Sequence, residues 1–219
     1  MKLSPRLQTI ADMIRYPILM DIGCDHALLD IYCTMERNIT CIACDINENA
    51  LKNARHNIEA YHLQDKIEVR IGDGLPDLTI KGPYTVVIAG MGTHTILSIL
   101  KHASRLPEQL ILQSNNDLEL LRKEVTHLGY QIENEKVVKE GHIYNVIISF
   151  LKGEGHYSQK DEWLGPILRQ QKEPSTREYY QHLVQKEEKI LSHLPKKKIF
   201  LRIKTARRKK IIEKELKLF

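Results

Sequence analysis

The feature that most limits the fold of this chain is an alternation. Five short apolar stretches, "PILMDI" (17–22), "TCIACDI" (40–46), "KIEVRIGDG" (66–74), "YTVVIAGMG" (84–92) and "EQLILQS" (108–114), are separated by segments with apolar residues at helical spacing. A strand that follows a helical crossover pairs in parallel with an earlier strand, so the alternation implies βαβ units. Runs such as "TVVIA" are apolar throughout, as expected of a sheet covered on both faces. Ser4-Pro5 reads as the cap and first position of an opening helix, with Leu7, Ile10, Ala11 and Ile14 on one stripe. Asn47 caps "ENALKNARHNIEAYHL", and Asp117 and Gly129 bracket "LELLRKEVTHL". Two long strand stretches (131–140 and 142–152) flank a Gly141-His142 turn and place one antiparallel strand in the sheet. The expected fold is α/β: a Rossmann-like, doubly wound, mostly parallel sheet over residues 1–155.

Beyond Gly155 the strand pattern stops. "REYYQHLVQKEEKILSHL" carries Tyr180, Leu183, Val184, Ile190, Leu191 and Leu194 at helical spacing. A small helical, coiled-coil-like domain is expected over 156–219, with the strand-bearing core ending before it. Charge divides the same way. Residues 152–219 hold 18 Lys/Arg against 9 Asp/Glu, and the remaining residues hold 15 against 19. From Pro195 onward there are 11 basic residues and 2 acidic ones, too lopsided for a self-paired surface. "KKK" (196–198) and "RRKK" (207–210) are suited to phosphate contacts, which position a nucleic acid without reading its sequence. No apolar run reaches the roughly 18–20 residues of a membrane span, and the first residues lack the pattern of a secretory signal. Four cysteines in the first fifth of the chain do not form a disulfide framework. A cytoplasmic monomer is expected.

The stretch "MDIGCDHALLDIYC" (20–33) admits three readings. Cys24, His26, Cys41 and Cys44 would supply a zinc quartet. However, Cys41 and Cys44 lie on a strand, where residues three apart face opposite sides. A catalytic thiol at Cys24 is opposed by Asp25, which disfavours the thiolate. The third reading is a cofactor turn. Gly23 follows the first strand and precedes a helix, and Asp45 ends the second strand 22 positions later, suited to gripping two ribose hydroxyls. Charge then selects the cofactor. Asp25 stands where a dinucleotide fold has a second glycine, and its carboxylate repels pyrophosphate by about 1–4 kcal/mol at close range. The same carboxylate attracts an ammonium group. S-adenosylmethionine carries an ammonium, a sulfonium and a ribose but no phosphate. Asp73 and Gly74 of "GDG" and the Gly90-Met91-Gly92 loop end the next two strands at the same rim.

"DIGCDHALLDIYC", "GDGL", "VVIAGMG" and "LILQSNN", in that order and followed by a basic helical tail, resemble the bacterial tRNA N1-methyltransferases that act on adenine 22. The resemblance covers nearly the whole chain. It implies an S-adenosylmethionine-dependent enzyme whose helical tail helps to hold tRNA. The cofactor set is then Asp21, Gly23, Asp25, His26, Asp45, Ile46, Asp73, Gly74, Gly90, Met91 and Gly92. The expected catalytic set is Asn115, Asn116, Tyr144 and His26, with the asparagines placed either to read the base edge or to cap the following helix. Two positions depart from the family pattern: Thr93 stands where a glycine is usual, and Ser114 where a proline is usual. Replacement of the proline is expected to loosen the loop that holds the base. No metal is expected, and elemental analysis of protein purified without a tag should find no stoichiometric zinc.

Overall fold

The computed structural model of the chain describes residues 1–75 and 80–219. Seven strands form one sheet in the order β3-β2-β1-β4-β5-β7-β6. They are β1 (Ile18–Ile22), β2 (Thr40–Asp45), β3 (Ile67–Ile71), β4 (Thr85–Met91), β5 (Gln109–Ser114), β6 (Tyr130–Glu140) and β7 (Ile143–Lys152). The first five pair in parallel. β7 runs antiparallel to both β5 and β6, so it is the one reversed strand. The doubly wound sheet with a terminal hairpin is the fold that the alternation implied.

Helices cover both faces. α1 (Pro5–Met13), α2 (Leu28–Arg37) and α3 (Glu48–Ala60) pack one layer, where Ile10, Leu29, Ile31, Leu51 and Ile58 meet Leu19, Cys41, Ala43 and Val87. α4 (Thr93–Lys101) and α5 (Leu118–His127) pack the other, where Ile96, Leu100, Leu121 and Val125 meet Met20, Cys44, Val86, Ile88 and Leu112. Cys41 and Cys44 therefore bury themselves on opposite faces of β2. Among the described residues no cluster could hold a metal ion.

The chain after the sheet forms α6 (Gln159–Leu164), α7 (Pro166–Gln171), α8 (Pro174–His193) and α9 (Ile199–Leu216). α8 and α9 make the expected helical hairpin. The core, however, does not end at Gly155. Leu164, Leu168, Tyr179, Tyr180 and Ile212 are buried in the same cluster as β4, β5 and β7. The junction is fixed by a buried ion pair. Arg122 of α5 donates from Nε to Glu135 Oε1 of β6 at 2.7 Å, and the two side chains are 1% and 0% exposed. Arg122 Nη1 also donates to the Glu162 carbonyl (2.8 Å), while Glu135 Oε2 accepts from the Ile167 backbone N–H (3.0 Å). Gly165 crosses directly over the pair with φ +86°, and a Cβ there would lie 2.6 Å from Glu135 Oε2. Removing one partner of a buried pair strands the other charge, so Arg122→Met should cost about 3–5 kcal/mol of stability. A urea titration followed by far-UV circular dichroism measures this, and a decrease under ~1 kcal/mol would contradict the assignment.

Candidate active site

The loops at the carboxyl ends of β1 to β5 converge on one rim, where open parallel sheets bind ligands. Gly23 leaves β1 with φ +81°, and a Cβ there would stand 2.5 Å from Met91 Cε. Glycine is thus what lets the end of β4 close over the end of β1. The backbone N–H groups of Gly23 and Cys24 donate to the Cys44 carbonyl at 2.8 and 3.0 Å. Asp25 and Ala27 both adopt left-handed backbone angles, which turn the loop tightly into α2. This bend brings the Asp25 N–H to Asp45 Oδ2 (3.3 Å), while the Asn47 N–H holds Asp45 Oδ1 (2.8 Å). The Asp45 carboxylate is oriented from both sides and keeps lone pairs for further donors.

Ile46 beside it is largely exposed. Asp73 and Gly74 line a hollow of about 510 Å³ with Cys44, Thr95 and Ile99. His26 Nε2 sits 3.6 Å from Asp25 Oδ2 with both side chains open to solvent, and the His26 carbonyl accepts from Asn57 Nδ2 (3.0 Å).

The second half of the rim is a knot of polar groups at the ends of β4 and β5. Asn115 donates from Nδ2 to the Gly90 carbonyl (2.7 Å) and from its backbone to the Met91 carbonyl (2.9 Å). Gln113 Oε1 accepts from the Gly90 N–H (2.8 Å) and from Arg6 Nη1 (3.1 Å). Asn116 Oδ1 accepts from the Thr93 N–H (3.0 Å). Asn116 therefore caps α4, the helix before it, and Asp117 caps α5 through the Leu120 N–H (3.3 Å). Thr93 and Ser114, the two departures from the family pattern, meet each other. Their hydroxyls lie 2.8 Å apart, and Thr93 Oγ1 also donates to the Asn116 carbonyl (2.6 Å). Both residues are buried. Ser114 is hydrogen-bonded to Thr93 and to the Asn116 carbonyl (2.9 Å), contacts that a proline ring could not make.

Asn115, Asn116 and Tyr144 border one pocket of about 420 Å³, which Trp163, His182 and Arg208 of the helical segment also line. His26 is not among its lining residues. The Tyr144 ring is tilted against His182 (centroids 5.1 Å apart) and Tyr179 (6.0 Å), with Lys139 Nζ 5.2 Å above it.

Sequence reasoning did not single out two groups at this rim. Arg6 reaches from α1 to Gln113 and lies 3.7 Å from the Cβ position of Gly90. Asp30, in the first turn of α2, is fully buried. A carboxylate inside the stripe Leu29-Asp30-Ile31 was the available signal. Burial first, then the charge of Asp30, pushes the Cys33 and Cys44 thiols up to about 12. All four cysteines are free and buried.

A methyltransferase-domain family pattern matches residues 3–147. The tRNA (adenine(22)-N(1))-methyltransferase of Bacillus subtilis is 34% identical over 155 residues, which cover 68% of this chain and 65% of that protein. The chain belongs to the methyltransferase family, in its tRNA (adenine-22-N1) branch.

Solved structures extend the likeness over nearly the whole methyltransferase chain. TrmK of M. capricolum, in complex with S-adenosylhomocysteine, is 28% identical and superposes with a TM-score of 0.87 over 98% of each chain. Streptococcus pneumoniae Sp1610, in complex with S-adenosyl-L-methionine, is 29% identical, with a TM-score of 0.86 over 98% of this chain and all of that one. The rim fits such a cofactor, since an oriented carboxylate, a glycine turn and further carboxyl groups occur together. Removing the charged acceptor at Asp45 should cost about 1.5–3 kcal/mol of binding, tenfold or more in affinity. Calorimetry of Asp45→Ala with S-adenosylhomocysteine tests this, and an unchanged Kd would remove Asp45 from the site. NAD should give no binding heat.

Proposed function

We propose that this chain transfers the methyl group of S-adenosylmethionine to N1 of adenine 22 in tRNA. The observation that carries the reading is the pocket shared by the rim and the helical segment. Asn115 and Asn116 border it from the cofactor side, while Lys186 and Arg208 of the basic segment border it from the other. One copy of the chain thus supplies cofactor rim, base pocket and cationic surface, consistent with a monomeric enzyme. Four protonated, unpaired thiols suit the reducing cytoplasm where tRNA is found.

The cofactor supplies an electrophilic methyl on a sulfonium centre. Asp45 would take the ribose hydroxyls, Asp21 and Asp25 would face the ammonium, and Arg6 would face the amino-acid carboxylate. Asp73 would accept from the adenine amine of the cofactor. Adenine N1 has a free lone pair, so the protein needs no base to remove a proton before attack. The residues have two tasks: aligning N1 for in-line approach and stabilising the purine cation that forms. The β4–β5 knot serves the first, because Asn115 and Asn116 hold the Gly90–Thr93 loop in a fixed position. The carboxyl groups of the rim serve the second. N1 is sealed inside a Watson–Crick pair, so the pocket would receive the base unpaired and extruded. Tyr144 flanks that pocket as a stacking surface.

Of the tail's two basic runs, only part is open to phosphate. Arg208 is paired with Glu119 of α5 (2.6 Å) and lies over the Trp163 ring, and Lys209 is paired with Glu188 (2.8 Å). Lys196, Lys197, Lys198, Lys204, Arg207 and Lys210 are exposed on the hairpin.

Incubation with labelled S-adenosylmethionine and a tRNA transcript should give N1-methyladenosine after nuclease digestion. A transcript with guanine at position 22 should give none. Label transfer that ignores tRNA would overturn the reading. Changing Lys196, Lys197 and Lys198 together to glutamine should raise the KM for tRNA and leave the Kd of the cofactor unchanged. The slope of log K against log salt should flatten by about 0.7–0.9 for each phosphate that is no longer neutralised. Arg208→Gln should instead lower the thermal midpoint.

A further inference from the structure

The cofactor rim rests on a group that none of the roles above uses. Asp30 is 0% exposed, and neither of its carboxyl oxygens meets an N–H or hydroxyl donor from another described residue. Among the described residues no cation pairs with it. Its charged neighbour is the carboxyl of Asp21, itself only 7% exposed at the end of β1. Two neighbouring carboxyl groups buried with no cation on Asp30 do not both ionise, so one of them keeps its proton. The other charged and titratable groups around the pair cannot replace that proton. Arg6, from α1, is drawn away to Gln113 and Glu140. Asp45, at the end of β2, adds a second negative charge toward Asp21. The thiols of Cys24, Cys33, Cys41 and Cys44 are raised, foremost by burial, and stay protonated.

We propose that the Asp21–Asp30 pair holds one proton beneath the cofactor rim of the free protein and releases it to solvent when the ammonium of the cofactor docks. Asp30 is then a positioning residue that acts through Asp21. The released proton leaves two carboxylates whose charge the incoming cation offsets, so charge balances at every stage. Burial, foremost, raises both groups, Asp21 to about 7 and Asp30 well above its ordinary value, with Arg6 drawing Asp21 down and Asp45 pushing it up. Discharge therefore falls at neutral pH and below. The inference rests on the methyltransferase reading, but the two fail differently: absence of binding heat removes the reading, whereas binding without proton exchange removes only the inference.

The experiment is calorimetry of the full chain with S-adenosylhomocysteine in buffers of different ionisation enthalpy, between pH 5.5 and 7. In that range the ligand's own amino group stays protonated. Binding should release about half a proton or more, and affinity should climb up to about tenfold per pH unit. Asp30→Asn should bind with clearly less proton release and a flatter pH profile, because the amide stands where the protonated acid stands and has no proton to give up. His26 lies beside Asp25 at the same rim, so its own variant is the control. Release that persists in full in Asp30→Asn but vanishes in His26→Asn would assign the proton to the histidine and overturn the proposal. Should Asp30→Asn fail to fold, difference infrared spectra of the wild-type chain serve instead. The carbonyl stretch of a protonated carboxylic acid should disappear on ligand addition, and its absence from the free protein would also overturn the proposal.

Discussion

The contact between Arg122 and Glu135 decides the shape of everything after the sheet. It lies where α5, β6 and the α6–α7 turn meet, with almost no solvent to screen it. A charge in such a place is tolerable only if most of its hydrogen-bonding capacity is met, and the α6–α7 turn meets it. The arrangement couples two events that could have been separate. Detaching the helical segment would take away the backbone partners that the α6–α7 turn gives to both charges, although the two would stay paired with each other. Tyr180, fully buried, repeats the logic by donating its hydroxyl to the Leu164 carbonyl (2.7 Å). The basic hairpin is therefore carried at a set angle to the catalytic rim and not on a free linker.

That fixed angle gives meaning to the knot between β4 and β5. Thr93, Ser114, Asn115 and Asn116 satisfy one another almost entirely, so the floor of the shared pocket is built before a substrate arrives. A methyl transfer that needs no general base gains most from such a floor, because alignment is the main thing the protein can contribute. In the proposed reading the negative groups on the cofactor side favour a cation, the positive groups on the hairpin favour a polyanion, and the pocket lies between them.

Much of this was readable in the sequence because periodicity and burial obey the same geometry. The opposite faces of Cys41 and Cys44 follow from the two-residue repeat of a strand, and the two helical layers follow from unbroken apolar strands. Other parts were not readable, for physical reasons. Arg122 stands in a polar-looking stretch of α5 and Glu135 in a charged strand, so each reads as a surface residue until tertiary contact brings them together. Arg208 looks like its neighbours in a basic run, yet it is the one that lies over Trp163. Ser114 reads as the removal of a stiff ring, and its hydrogen bond to Thr93 depends on a neighbour 21 residues away. Asp30 was the least legible of all, since a single acid inside an apolar stripe is easily taken for a helix-start preference.

The four buried cysteines carry a practical consequence. Thiol reagents attack the thiolate at exposed positions, and these sulfurs are both covered and held in the protonated form. In its native state the chain should therefore react slowly with maleimide dyes. A single cysteine placed on the outer face of the hairpin, at Ser192 for example, could carry a fluorophore or spin label with no need to strip the natural cysteines first. Background labelling would then be a sensitive gauge of unfolding, because dye enters the natural sites only when the sheet opens.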